Sequence, residues 1–329
     1  MKGDFNRMRK FHSLFLLFLL VALLIGACRP AAPETAAPKE PVTLRIAVLP
    51  IMDTLPMLVA ESEGLFAENG VQVEFVPVAS APERDQVLQA GRADGTVNET
   101  LSVMFFNKEK VQMQVVRFAH MATPESGHFF ILASAQSGIS DVDGLKGAEI
   151  GISQGTIIEY ITDRLLTAQG FAPEDIKTVA VPKIPDRLAL LGSGELQAAV
   201  LPDPLGALAE QQGAKIILDD RQYPTYGASV ISFRKEVIDQ HPEAIRAFLA
   251  AVEEAVTRIN SEPERFTGLL SEKKLVPPPL LETYHIPTFP TAGVPSEADW
   301  NDVLSWAKEK GLLEADISYA DSVTDAFLP

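Results

Sequence analysis

The chain has 329 residues, of which 47% are hydrophobic, and it carries a formal net charge of −16. That length allows about two domains of 100–200 residues, each with a hydrophobic core of its own. The acidic balance excludes a nucleic-acid binder, because such proteins need a basic face to displace counterions from phosphates. The single cysteine, Cys28, excludes intramolecular disulfides and cysteine-rich metal or cluster sites.

The N-terminus has the organisation of an export signal. Four basic residues precede twelve consecutive apolar residues, Leu14 to Ile25. Twelve are too few for a bilayer-spanning helix, which needs about 20, but they suit the apolar segment of a secretory signal. The segment ends in Ile25-Gly26-Ala27-Cys28, which resembles the lipobox of bacterial lipoproteins. We expect residues 1–27 to be removed and Cys28 to be lipidated; the alternatives are a plain signal peptide with an incidental cysteine, or an uncleaved anchor.

The next segment is rich in proline and alanine. Residues 29–41 contain no large apolar side chain, so they cannot contribute to a core. Proline-rich segments of this kind are extended spacers. We therefore expect residues 28–42 to form a tether between the lipid and the folded chain.

From Thr43 onward, strand patterns alternate with helix patterns. In chain order the sequence predicts strands at 44–49, 71–78, 96–97, 149–152, 177–181 and 198–201, and helices at 56–69, 81–90, 157–168, 186–191 and 242–260. Strands that alternate with crossover helices predict an α/β fold with parallel sheets. Such sheets bind ligands at the carboxyl ends of their strands.

The alternation repeats with an offset of about 103 residues, so that Arg84 and Val97 line up with Arg187 and Val200. Chance and generic α/β spacing account for part of the match. Together with the order of the strands, however, it predicts two similar doubly wound lobes. Two such lobes would face each other across a cleft that is lined by equivalent loops.

The candidate ligand contacts are polar residues in these loops and rings close to them. Most of the loops precede helices, whose N-terminal N–H groups favour polar or anionic ligand groups. The candidates are Asp53, Thr54, Ser80, Arg84, Asn98 and Glu99 in the first lobe, and Ser153, Gln154, Thr156, Tyr160, Asp203 and Tyr226 in the second.

Helix capping is the competing role for several candidates. Ser80 and Thr156 each precede a glutamate by three residues, and Asp203 precedes Pro204, as at a helix start. Arg84 could instead pair with a neighbouring carboxylate on the surface, and Tyr160 could pack on its own helix. No local role is apparent for the remaining acidic and amide candidates in the first lobe, Asp53, Asn98 and Glu99.

Three segments carry a resemblance to a known family. They are Leu55–Pro77, Leu88–Gly95 and Ser137–Thr156, and they contain Gly64-Leu65-Phe66, Leu145-Lys146-Gly147 and Gly155-Thr156. Their order and spacing resemble the nitrate/sulfonate/taurine/thiamine-precursor branch of substrate-binding proteins of ATP-binding-cassette (ABC) importers. The likeness covers roughly residues 43–260. It departs from the family pattern at Gly144, where an aspartate is expected.

The resemblance implies a type II periplasmic-binding-protein fold, with two doubly wound lobes joined by two crossing strands. The crossings are expected near 129–133 and 229–233, which places lobe one at 43–133 plus 228–329 and lobe two at 134–227. It also implies an extracytoplasmic binding lipoprotein, anchored to the cell membrane through Cys28, that delivers a small polar solute to a permease and an ATPase. We expect it to act as a monomer.

Two other function classes stay open. A lipid-tethered sensor that presents solute to a receptor would use the same cleft. An enzyme is less favoured, because the iron-binding cysteines of the related thiamine-pyrimidine synthases are absent, as are nucleophile-elbow, phosphate-loop and dinucleotide motifs. The five histidines lack paired ligand spacing, so neither a metal nor a cofactor is expected.

The ligand class is predicted from the charges expected near the cleft. Asp53, Glu99 and Asp203 place carboxylates there, with Arg84 as the only obvious cation. This balance favours a heterocycle or an amine-bearing solute over a bare anion. His128, beside a predicted crossing strand, is a further residue that could face the cleft.

Overall fold

The computed structural model describes residues 41–329, so the predicted signal peptide, Cys28 and nearly all of the tether lie outside the described residues. The strands are β1 (Val42–Val48), β2 (Val71–Pro77), β3 (Gly95–Asn98), β4 (Met113–His120), β5 (Phe129–Ala133), β6 (Glu149–Ile152), β7 (Lys177–Ala180), β8 (Ala198–Pro202), β9 (Lys215–Asp219) and β10 (Ser229–Arg234). The α-helices are α1 (Leu55–Ser62), α2 (Leu65–Glu68), α3 (Ala81–Gln89), α4 (Thr100–Asn107), α5 (Ile157–Ala168), α6 (Ile184–Ser193), α7 (Leu205–Gln211), α8 (Lys235–Gln240), α9 (Pro242–Ser261), α10 (Thr267–Glu272), α11 (Glu297–Glu309) and α12 (Tyr319–Ser322).

The strands form two sheets with the same arrangement. Sheet 1 has the order β2-β1-β3-β10-β4, and sheet 2 has the order β7-β6-β8-β5-β9. In each sheet the first three strands are parallel, as the alternation predicts. The predicted α/β class with two doubly wound halves is confirmed.

One strand in each sheet runs against the others, so the sheets are mixed rather than wholly parallel. Strand β10 is antiparallel to β3 and β4, and β5 is antiparallel to β8 and β9. Each of these strands enters its sheet directly from the other sheet, without a crossover helix packed on its own sheet. The right-handed crossover that enforces parallel pairing therefore does not apply to them.

The chain passes between the sheets in residues 121–128 and again in residues 220–228. The predicted crossing segments, 129–133 and 229–233, are instead regular strands inside sheet 2 and sheet 1. The two connections are bonded to each other, because a carboxylate oxygen of Asp220 accepts hydrogen bonds from the amides of His128 at 2.8 Å and Phe129 at 3.1 Å. The predicted lobe ranges themselves stay a prediction.

The sequence repeat corresponds to a structural repeat. Helices α3 and α6 begin at Ala81 and Ile184, and strands β3 and β8 begin at Gly95 and Ala198, each pair separated by the same 103 positions. Each helix carries a proline in its first turn, where the missing N–H costs no hydrogen bond. The equivalence of Arg84 and Arg187 therefore holds in three dimensions.

Two helices show how local sequence sets the elements of sheet 1. The predicted helix 56–69 is split into α1 and α2 at Gly64, whose φ of +76° is a left-handed conformation that suits glycine. The predicted helix 242–260 is α9, and its apolar face is buried. Phe248 of α9 stacks on Phe66 of α2 at 5.2 Å, which fixes α9 on this half of the molecule. In the part of the chain that the structure describes, no helix is long and apolar enough to cross a membrane.

Candidate functional site

A cavity opens between loops that belong to the two sheets. Sheet 1 contributes the segment after β1, the end of β3 and the start of α3, and sheet 2 contributes the segments after β6 and β7 and the end of β8. These are the carboxyl ends of parallel strands, which is where such sheets hold ligands. Most of the lining is apolar, and its polar side chains are Asp53, Arg84, Asn98, Glu99, Ser153, Thr156, Arg187 and Ser229.

The structure brings half of the predicted contacts together. Those that line the cavity are Asp53, Arg84, Asn98, Glu99, Ser153 and Thr156. Those that do not line it are Thr54, Ser80, Gln154, Tyr160, Asp203 and Tyr226, of which Gln154 is exposed to solvent. As ligand contacts, all of them stay predictions.

Arg84 is buried and fully paired, rather than forming the surface pair that the sequence allowed. Its two terminal nitrogens donate to Glu99 at 2.9 and 3.2 Å, and its Nε donates to Asp85 at 2.8 Å. Burial alone would lower the pKa of Arg84, but the two carboxylates outweigh it and hold the pKa above its ordinary value. The positive charge of Arg84 is therefore balanced within the protein.

Asn98 is tied into the same group of side chains. Its amide nitrogen donates to the hydroxyl of Ser102 at 3.3 Å, and its amide oxygen accepts from the hydroxyl of Ser232 at 2.8 Å. Ser102 in turn donates to Asp85 at 3.0 Å. Asn98 is thereby held in one orientation at the end of β3, with its side chain at the cavity wall.

Asp53 pairs with His128, which lies in the first of the two connections between the sheets. It lies on a 3-10 turn after β1, and its Oδ1 is 3.1 Å from Nε2 of His128. Burial alone would raise the pKa of Asp53, but His128 outweighs it and holds the pKa well below its ordinary value. Burial acts to lower the pKa of His128, yet the carboxylate of Asp53 raises it. The charged forms of the two side chains therefore stabilise each other.

A second histidine lies against this pair. The ring of His120 meets the ring of His128 edge to face, with centroids 4.5 Å apart. Burial lowers the pKa of His120 to about 3, so this ring stays neutral near neutral pH. Within residues 41–329, no three His, Cys, Asp or Glu side chains are arranged to hold a metal ion.

Asp203 does not cap a helix, so its predicted capping role is wrong. Helix α7 begins at Leu205, and the carboxylate of Asp203 instead accepts a hydrogen bond from the hydroxyl of Tyr284. The amide of Asp203 donates to the carbonyl of His128 at 2.9 Å. Burial raises the pKa of Asp203 to about 6, although the bond from Tyr284 favours the charged form.

Two predicted contacts are helix caps. The hydroxyl of Ser80 accepts from the amide of Glu83 at 3.3 Å, and the hydroxyl of Thr156 accepts from the amide of Ile158 at 3.2 Å. Both satisfy N–H groups that have no partner inside the helix. Thr54 donates its hydroxyl to a nearby carbonyl at 2.8 Å, which fixes its side chain locally. Capping and cavity lining coincide only at Thr156.

The two tyrosines that were expected to stack on a ligand have protein partners. The hydroxyl of Tyr160 donates to Asp302 at 2.6 Å, and its ring lies against the edge of Trp306. Tyr226 stacks on Tyr223 with centroids 5.1 Å apart and nearly parallel planes. Both rings therefore contribute to packing beside the cavity rather than to its wall.

Arg187 lines the cavity and was not among the predicted contacts. It is 1% exposed, and it donates to the carbonyls of Val200 at 3.0 Å, Val181 at 2.8 Å and Pro182 at 3.3 Å. Burial lowers its pKa to about 10, so the guanidinium stays charged at neutral pH. Among residues 41–329, no carboxylate lies within 4.0 Å of it. The repeat, which matches Arg187 with Arg84, was the signal that could have found it.

Ser153 lies beside the N-terminus of α5. The residue is 4% exposed, and its hydroxyl has no hydrogen-bond partner within the described part of the chain. An unpaired buried hydroxyl costs free energy unless a ligand or water bonds to it. Within the described residues, it is the predicted contact with a buried side-chain polar atom that lacks a partner.

A family model described as the NMT1-like family matches residues 37–267. A protein of Bacillus subtilis (strain 168), named as an aliphatic sulfonates-binding protein, is 23% identical over 225 residues, which are 67% of this chain and 66% of that protein. The chain therefore spans about two thirds of that relative. A protein of Brachyspira hyodysenteriae, named as an ABC transporter periplasmic binding protein, is 24% identical over 78% of this chain and 76% of its own length.

Solved structures show the same fold. The alkanesulfonate-binding protein SsuA of Xanthomonas axonopodis pv. citri, bound to MOPS, superposes with a TM-score of 0.73 at 17% identity, over 87% of this chain and 99% of that one. The expected type II periplasmic-binding-protein architecture is thereby confirmed. Binding proteins of importers predominate among these neighbours, and the desulfurization enzyme DSZB shares the fold at a TM-score of 0.64 and 14% identity, over 87% of this chain and 97% of that one.

Proposed function

Because the chain belongs to the NMT1-like family, we propose that it is the extracytoplasmic solute-binding component of an ABC importer. The observation that carries this proposal is the cavity between the two sheets, lined from both sides by the carboxyl ends of strands. A solute bound there would bridge the two halves and favour a closed form. The relatives named as ABC transporter and sulfonate-binding proteins support the same function.

We propose that a lipid on Cys28 anchors the protein to the outer face of the cell membrane. The support is the Ile25-Gly26-Ala27-Cys28 motif at the end of an apolar segment, followed by the proline-rich tether. The tether would let the folded part reach the permease while it stays attached.

The prediction of a heterocycle or an amine was based on Arg84 as the only obvious cation near the cleft. In the structure Arg84 is neutralised by Glu99 and Asp85, and Arg187 is a second cation at the cavity wall. Asp203 does not line the cavity. The apolar majority of the lining still disfavours a bare inorganic anion.

The test is to purify the protein from its own cells, identify the co-purified solute by mass spectrometry and measure small-angle scattering with and without it. A smaller radius of gyration in the saturated protein supports the proposal, and an unchanged radius at proven saturation contradicts it. Loss of solute uptake in a gene-deletion strain distinguishes an importer from a sensor, whose deletion would leave uptake intact. Multiple-turnover consumption of the solute would identify an enzyme instead.

A further inference from the structure

The cavity holds an unpaired cation on only one of its two walls. Given the proposed solute-binding function, we infer that Arg187 and Ser153 form a head-group site for a singly charged organic anion. On the opposite side, Arg84 is already bonded to Glu99 and Asp85, and the apolar lining, which both sheets supply, takes the rest of the molecule. The protein therefore binds the charged group of its ligand on the sheet 2 side and covers the rest of the ligand with apolar side chains from both sheets.

The first support is the state of Arg187. Three main-chain carbonyls hold its Nε and Nη1, and these bonds orient the guanidinium without neutralising it. Nη2 makes no hydrogen bond to any described residue, while the side chain belongs to the cavity wall. A buried charge without a counter-charge is costly. An anion bound here would pair with the guanidinium without competing against a carboxylate of the protein.

The second support comes from the repeat. Arg84 and Arg187 each occupy the fourth residue of their helices, α3 and α6, and the arginines are 103 positions apart. The acidic partners of Arg84 are Asp85 and Glu99, and the equivalent positions 103 residues later are Leu188 and Pro202. Sheet 2 therefore keeps the arginine and replaces both of its carboxylates with apolar residues. Beside Arg84 the counter-charge is Glu99. Beside Arg187 the equivalent position has no carboxylate, so a ligand can supply the counter-charge.

The third support is the charge count along the wall. The cavity lining contains two carboxylates, of which Asp53 lies 3.1 Å from His128 and Glu99 accepts from Arg84; Asp85, outside the lining, also accepts from Arg84. Arg187 is then the lining charge without an internal partner. Beside Arg187, a ligand group with one negative charge is therefore favoured over a neutral group, and over a second cation more strongly still.

The fourth support is the hydroxyl of Ser153, which is buried at the cavity wall without a protein partner. It follows β6, in the same half of the molecule as Arg187 of α6, and can donate to an anionic oxygen. Most of the remaining lining is apolar and includes Leu49, Ile51, Val97, Phe129, Ile157 and Ile184. Covering this surface requires a carbon-bearing body, because a bare inorganic anion would leave it facing water.

The test uses pairs of probes that differ in charge and match in shape. Benzenesulfonate, hexanesulfonate, benzoate and hexanoate are each compared with their neutral amide by isothermal titration calorimetry, with sulfate and taurine as further probes. We expect at least one of the four anions to bind. Each anion that binds should have a higher affinity than its amide. Sulfate and taurine should bind more weakly than the tightest of these anions.

Three variants assign the effect to residues. Arg187→Gln should lower the affinity for the tightest-binding anion by roughly 10- to 150-fold, because it removes a charge-assisted hydrogen bond in a desolvated site. Ser153→Ala should weaken it several-fold with an unchanged melting temperature, since the hydroxyl bonds to nothing in the protein. Arg246→Gln is the matched control, because this arginine is half-exposed on α9, outside the cavity, and should leave binding unchanged.

The outcomes separate this inference from the proposed function. If an amide or taurine binds as tightly as the anions, or if folded Arg187→Gln and Ser153→Ala bind the best anion like the unaltered chain, the inference is wrong. If none of the four anions binds while a co-purified neutral or cationic solute binds and closes the protein, the inference is wrong and the proposed function stands. If no probe and no co-purified solute binds, both are wrong.

Discussion

Tyr160 of α5 donates a 2.6 Å hydrogen bond to Asp302 of α11. The N-terminus of α5 lines the cavity, so this bond connects the cavity wall with a helix near the C-terminus. Arg164, one turn further along α5, donates to the same carboxylate at 2.9 and 2.8 Å. One aspartate thereby holds two side chains of α5 in place.

Asp302→Ala should lower the free energy of unfolding by about 2 kcal/mol. The substitution leaves the buried hydroxyl of Tyr160 and the guanidinium of Arg164 without their acceptor. Urea unfolding monitored by circular dichroism measures the change. Asp316→Ala is the control, since that carboxylate is almost fully exposed beside Lys308. Equal stability of the two variants would contradict the role of Asp302.

Asp53→Ala should cost about 3–5 kcal/mol, because it leaves a buried histidine without its counter-charge. The sequence alone suggests a negligible cost, as Pro56 can start the helix without Asp53. Thermal unfolding distinguishes the two expectations. The double variant Asp53→Ala with His128→Ala should lose less than the sum of the single losses. Additive losses would show that the two side chains do not stabilise each other.

Thr156→Ala should cost about 1 kcal/mol through loss of the N-cap of α5. Thr156→Ser keeps the hydroxyl and should keep most of the stability. The difference between the alanine and serine variants therefore measures the contribution of the capping hydrogen bond. Chemical unfolding of both variants gives the comparison. A serine variant as unstable as the alanine variant would mean that the threonine methyl, not the cap, stabilises this turn.

Asp203 should make stability depend on pH. Its pKa is about 6 in the folded protein against an ordinary value near 3.8, so the folded state binds this proton more tightly than the unfolded state. The contribution is complete below about pH 4 and is lost as the pH rises through 6, by about 3 kcal/mol in total. Asp203→Asn should remove that slope in urea unfolding between pH 4 and 7. An identical slope in the variant would contradict the raised pKa.

Cys28→Ala should release the protein from the membrane. Without the thiol there is no site for a lipid, so the variant should move from the detergent phase to the aqueous phase on phase separation. Labelling with a radioactive fatty acid should disappear in parallel. Membrane retention equal to that of the unaltered chain would indicate an uncleaved apolar anchor.

The sequence was sufficient for the features that depend on neighbours along the chain. The period of apolar residues identified α5 and α9, and the strand–helix alternation identified the parallel core of each sheet. The caps of Ser80 and Thr156 were also predictable, because a cap bonds to residues within one turn of itself. The offset between Arg84 and Arg187 was visible as well, although it did not reveal which arginine is paired.

The tertiary structure decided every property that depends on residues distant in sequence. Glu99 neutralises Arg84 from 15 residues away, His128 pairs with Asp53 from 75 residues away, and Asp302 binds Tyr160 from 142 residues away. The net charge of a cavity is a sum over such pairs, so it could not be predicted from the type of each residue. The antiparallel orientation of β5 and β10 was also determined by the tertiary structure. It follows from the passage of the chain between the two sheets and not from a local pattern.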